Sequence, residues 1–201
     1  MKLLLRILTI VCLITTVTGC FPLVAGGMAE TALVIADRRN SGTQAIDRGL
    51  QLEVDSTITK TYGENVHINV TVFNRKVLLT GEVRTDQIKA EIDAKVKSMK
   101  NAGEVINELI AAPLSSLSSR ANDTFLTTKV KTIFLANENV PSNSMKIATE
   151  AGRVYLMGIV TEAEANKAVD LARQASGVKQ VVKLFDIISE ADKKRLDAQP
   201  K

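Results

Sequence analysis

Residues 76–83, KVLLTGEV, and residues 153–160, RVYLMGIV, decide the fold. Lys76/Arg153, Val77/Val154, Leu79/Leu156, Gly81/Gly158 and Val83/Val160 coincide at an offset of 77 residues. Glycine weakens a strand interior, because it loses the most backbone entropy on folding and packs no side chain. Its recurrence at one place in two apolar runs marks shared architecture: a strand-end bulge, or tight packing where the chain turns towards the next helix. Gly81 and Gly158 are therefore read as structural glycines.

The flanks of the two runs repeat as well. Ile46, Leu50, Val54 and Ile58 recur every four residues and predict an amphipathic helix ending near Gly63. VHINVTVF (66–73) alternates strictly, which predicts a half-buried strand, and Asn74-Arg75 supplies the turn into KVLLTGEV. Ile88, Ile92, Val96 and Met99 return to helical spacing, and EVINELI closes as a strand. In the second half, Leu126, Val130 and Ile133 share one face of a helix, and MKIAT precedes RVYLMGIV as a short strand. EAEANKAVDLARQA (162–175) follows as a helix capped by Thr161, and VKQVVKLFDII ends as a strand. The closing strands align at an offset of 76, one residue less than the glycine runs. The chain thus reads as an α+β protein with two small αββαβ domains, 46–112 and 123–189. Residues 113–122, with a proline and several serines, read as a linker; 190–201 read as a charged, frayed tail.

The N-terminus follows another logic. Lys2 and Arg6 precede an apolar run from Ile7 to Val17, which reads as a secretory signal over 1–19. That run is short for a membrane-spanning helix. Val17-Thr18-Gly19-Cys20 resembles a bacterial lipobox, whose cysteine is diacylated, often carrying palmitate, and becomes the first residue after cleavage. Residues 20–45 then form a lipidated tether, and Phe21 after the cysteine favours the outer membrane. The second cysteine, Cys12, lies in the removed segment, so no thiol remains for a disulfide or metal site.

Of 201 residues, 45% are hydrophobic but only 3% aromatic, so valine, isoleucine, leucine and alanine must build the core. Without Lys2 and Arg6 there are 24 basic against 22 acidic residues, too even a balance for a nucleic-acid partner. No composition or motif calls for a cofactor.

Helix, VxLxGxV, helix and a closing strand near VINEL (105–109) or VVKLF (181–185) resemble the BON domain. With DRRNSGTQ (37–44) and NDTFLTTKVKTIFL (122–135) in order behind a lipobox, the chain resembles the tandem-BON outer-membrane lipoproteins. That resemblance implies a non-enzymatic protein facing the periplasm that supports envelope integrity. It also implies that the first helix of the second domain binds an anionic phospholipid such as phosphatidylglycerol. This chain has Phe125 where the family often has tryptophan, losing the indole N–H that favours a membrane interface.

The residues of that helix agree with the implied role. Phe125, Leu126, Lys129, Val130, Lys131, Phe134 and Leu135 are the candidate phospholipid-binding set. If Leu126, Val130 and Ile133 face the core, Phe125, Phe134 and Leu135 are surplus apolar groups beside two lysines, which suits an interfacial helix. The same residues could instead pack against the first domain or dock an envelope protein partner. The single histidine, His67, falls opposite Val66 and Ile68 and is expected to be an ordinary surface residue. Glu162 and Glu164 open a helix, where they complement its dipole. Arg38-Arg39 in DRRNSGT either meet phosphate or a partner, or belong to a polar tether on a domain edge.

Overall fold

The computed structural model describes residues 37–198. The signal segment, Cys20 and the start of the tether lie outside them.

Helix α1 (Ser41–Tyr62) begins five residues before the apolar spacing does, because the Asn40 side chain accepts from Thr43 N at 2.7 Å. It buries Leu50, Val54 and Ile58, while Ile46 stays outside the core. Strands β1 (His67–Phe73) and β2 (Lys76–Val83) form an antiparallel hairpin with Phe73 opposite Lys76. Helix α2 (Asp86–Lys97), capped by Thr85, carries the chain back so that β3 (Val105–Ala111) lies parallel to β2. The three strands order β1-β2-β3.

The second unit repeats this plan. Helix α3 (Leu117–Leu135) leads to β4 (Met145–Glu150), β5 (Arg153–Val160), α4 (Glu162–Gln174) and β6 (Gln180–Ile187), with strand order β4-β5-β6. Thr161 and Glu164 close a full capping box on α4.

One carboxylate ties each hairpin to its helix. Asn74 and Arg75 both have positive φ, 50° and 63°, in the two-residue turn. Asp47 of α1 offsets that cost by accepting from Asn74 N and Arg75 N, each at 2.7 Å. In the second unit Asp123 of α3 accepts from Ala151 N and Gly152 N, each at 2.9 Å, and these residues also have positive φ.

The glycines are fixed by close approach. A Cβ on Gly81, at φ 120°, would stand 2.0 Å from the His67 carbonyl oxygen. One on Gly158 would stand 2.8 Å from the Ser144 carbonyl oxygen. In each sheet the antiparallel neighbour occupies the space of a side chain.

Each sheet has one face covered by its own helices. Leu50, Val54, Ile58, Val72, Leu79 and Ile92 build the first core; Val130, Phe134, Val154, Leu156, Ala168 and Ala172 build the second. The opposite faces meet each other: Phe73, Leu78, Tyr155 and Met157 form a third cluster, flanked by Ile106, Val182 and Leu184. Polar contacts frame it, including Lys146 Nζ to Val72 O at 2.7 Å, Lys76 Nζ to Asp186 at 3.1 Å, and Arg153 to Glu108 at 3.0 Å. The central strands are therefore buried on both faces, which explains their nearly unbroken apolar runs.

Three expectations change. Ser116 caps α3 by accepting from Ser119 N, so the helix takes in much of the serine-rich 113–122 stretch. The charged tail is not frayed over its described part: Glu190–Asp197 form α5, capped by Ser189, and Lys193 pairs with Glu164 at 3.1 Å. The third change concerns residues 37–39, which pack not on one domain edge but, through buried side chains, on both domains. The Arg38 side chain is fully buried. It donates to both oxygens of Glu164 (2.7 and 2.9 Å), both of Asp197 (2.8 and 3.1 Å) and the Ile159 carbonyl (3.0 Å). Arg39 turns to the first unit, bonding Asp47 at 2.7 Å, pairing with Asp37 and lying 4.0 Å from the Phe73 ring centroid.

Candidate functional site

Helix α3 presents two kinds of surface. Leu126, Val130 and Phe134, spaced by four, point into the core and are buried. These three members of the candidate lipid-binding set are corrected: their side chains are buried in the second domain and present no surface. Phe134, not Ile133, completes the buried stripe, and Ile133 is half-buried.

The outward face retains Phe125, 64% exposed, and Leu135, 61% exposed, with Lys131 exposed between them. Leu117, 82% exposed, stands five turns before Leu135 and so at the same azimuth. Thr124, Thr128 and Thr132 fill the stripe, each donating its hydroxyl to the carbonyl four residues earlier at 2.9–3.0 Å. Their donors are therefore used inside the helix, leaving a face with more methyl character than its composition suggests. Lys129 is half-buried and donates to Ser176 O at 3.1 Å, which ties it to the domain.

Between the two units lies a polar cleft of about 420 Å³, lined by residues of α1, β1, α3 and β4 that include His67, Asn69, Arg120 and Glu150. His67 belongs here, which corrects its reading as a surface residue; its side chain is 13% exposed. Strand alternation turns it away from the first core, and the second unit covers that side.

Nδ1 of His67 lies 2.9 Å from Glu82 Oε2 and 3.2 Å from Ser115 Oγ, while Ser115 Oγ donates to the same carboxylate oxygen at 2.9 Å. Hydroxyl and carboxylate meet one ring nitrogen, so this is not the relay of a hydrolase, which needs them on opposite nitrogens. Burial pushes the Glu82 carboxyl up, but hydrogen bonds from His67 and Ser115 outweigh it and hold the group below its ordinary value. Glu150 goes the other way: burial raises it, and the hydrogen bond from Asn69 Nδ2 at 2.8 Å only partly opposes that.

At the opposite end, burial likewise raises the Glu164 carboxyl. The bonds from Arg38, Thr161 N and Lys193 overcome this and bring it down to about 2. Sequence reasoning missed Arg38 and Arg39 as clamps, because their partners lie far along the chain. It also missed Asp47 and Asp123, although they sit at the offset of 76 that the repeat itself displays.

Among the described residues no helix is long and apolar enough to cross a membrane. The BON-domain family model matches residues 46–113 and 122–189. The chain is 36% identical over 169 residues to outer membrane lipoprotein DolP of Haemophilus influenzae, covering 83% of this chain and 88% of that protein. It is 30% identical over 154 residues to the 21 kDa hemolysin of Actinobacillus pleuropneumoniae, covering 76% and 79%. With the osmotically-inducible protein Y of Escherichia coli it shares 33% identity over 122 residues, 59% of this chain and 60% of that one. Two matched domains, each folded as a three-stranded sheet under two helices, and a DolP-like relative spanning most of the chain place this protein in the BON-domain family, as a tandem-domain member.

Proposed function

We propose that this protein is an outer-membrane lipoprotein, anchored through Cys20 and facing the periplasm, that rests the outer face of α3 on anionic phospholipid and supports envelope integrity. The observation that carries the reading is the exposure of Phe125 and Leu135 beside Lys131 on a helix whose opposite stripe is already in the core. Each large apolar side chain fully removed from water contributes about 1.5–3 kcal/mol. A lysine near an anionic surface adds about 1 kcal/mol. Such a face binds weakly alone, and the lipid on Cys20 supplies the effective concentration that makes the contact frequent. The corresponding helix of the first unit differs: α1 exposes Ile46 and Leu52 but has no exposed phenylalanine.

The test is sedimentation of the chain lacking residues 1–20 with vesicles containing phosphatidylglycerol or only phosphatidylcholine. Binding to the anionic vesicles is expected, and Phe125→Glu with Leu135→Glu should abolish it. Undiminished binding by that double variant sinks the helix assignment. Failure of the unmodified chain to bind, with envelope-protein capture lost in the same variant, assigns the face to a protein partner. Palmitate labelling should vanish in Cys20→Ala.

A further inference from the structure

The single histidine of the chain stands at the junction of the two domains. His67 opens β1, Glu82 faces it in register on β2, and Glu150 ends β4 of the second domain. One ligand nitrogen or oxygen from each lies within 4.8 Å of the others. The hydrogen bonds at this junction engage Nδ1 of His67 and Oε2 of both glutamates. The imidazole Nε2 and both Oε1 atoms have no hydrogen-bond partner among the described residues, and His67 and Glu150 line the cleft through which an ion could enter.

We propose that His67, Glu82 and Glu150 form a divalent transition-metal site, best suited to zinc, that bridges the two domains. One imidazole and two carboxylates form a donor set that zinc accepts, with water in the fourth position. Calcium and magnesium prefer oxygen alone, so the imidazole argues against them. The local charge favours a cation: two carboxylates share the junction, Asp123 adds to the field on Glu150, and Arg120 beside them is bonded to Ser115 Oγ at 3.2 Å. Glu82 belongs to the first sheet and Glu150 to the end of β4, so an ion held by both ties the two domains together. Such a site is independent of the membrane role of α3.

The experiment uses the full chain in detergent, with thiols capped by N-ethylmaleimide and metal removed by EDTA. Zinc chloride is titrated calorimetrically at pH 7.5, and cobalt chloride is followed by its visible absorption. One ion per chain is expected, with cobalt bands that zinc displaces and a melting temperature raised by zinc. Glu150→Gln keeps an acceptor for Asn69 and should lose at least about tenfold in affinity, as should His67→Gln. A folded wild-type chain that takes up neither ion overturns the proposal even if a variant fails to fold. Binding at wild-type strength in folded His67→Gln overturns it equally.

Discussion

Replacing Arg38 by alanine tests the packing of the N-terminal arm most directly. Its side chain is fully buried, and it donates to Glu164, Asp197 and the Ile159 carbonyl. Although burial raises it, Arg38, Thr161 N and Lys193 together hold the Glu164 carboxyl at about 2 against an ordinary 4.5, with Arg38 the largest contributor. At 1.36 kcal/mol per unit, that difference corresponds to about 3 kcal/mol of stability near neutral pH. Without Arg38 only Thr161 N and Lys193 still serve a carboxylate that remains buried. Removing one partner of a buried pair costs about 3–5 kcal/mol, because it orphans the other charge. For a chain of this size the melting temperature should fall by about 10 °C. Urea unfolding supplies the free energy, and hydrogen exchange should show α5 released with it. Arg38→Met with Glu164→Leu should recover part of the loss, since the fully buried charge pair is gone and the partners left behind, Asp197 and Lys193, reach solvent. A cost below about 1 kcal/mol for Arg38→Ala, or a double variant as unstable as the single one, refutes the reasoning.

The same pair sets an acid limit. A depressed carboxylate contributes stability above its unfolded pKa and loses it as pH falls, so the Glu164 contribution should fade between pH 4.5 and about 2. Acid unfolding followed by circular dichroism should show that limb in the wild type and lose it in Glu164→Gln. Gly81→Ala should cost about 3 kcal/mol in urea unfolding, since it combines a left-handed φ with a backbone clash, whereas Gly158→Ala, without the φ penalty, should cost about 1–2 kcal/mol. Asp123→Asn keeps one acceptor oxygen and turns an amide N–H₂ towards the second turn N–H, for a loss of about 1–3 kcal/mol. Asp47→Asn should cost more in the same assay, because Arg39 also loses one of its two carboxylate partners.

The repeat, the order of elements along the chain and the apolar faces of the helices follow from residue spacing alone, because each is a local pattern meeting a single buried face. Valines alternating through β1, and apolar runs through β2 and β5, are legible in the order of the residues. Misreadings arise where a second surface intervenes. His67 lies on the side of β1 turned away from its own core, and a single-domain reading equates that side with water. Ile133 and Phe134 both suit a helical stripe with Val130, spaced by three and by four, and only the sheet beneath α3 selects Phe134. Arg38 sits in a polar stretch without periodicity, and its carboxylate partners are 126 and 159 residues away. Caps carry a readable signal: Asn40, Ser116 and Ser189 each stand just before a helix whose start the apolar spacing places late or misses.

The paired arginines also define a load path. Chain N-terminal to residue 37 leads to two adjacent side chains that grip different domains, Arg38 the second and Arg39 the first. Tension applied through that segment is thus shared between the domains in parallel, and does not have to travel through the first to reach the second. Neither sheet is peeled strand by strand under such a pull, because Arg38 and Arg39 hold on through ion pairs with helix carboxylates and the Ile159 carbonyl of β5, and the described part of the arm adds no strand to either sheet. A leash attached in this way holds the two-domain body as one piece.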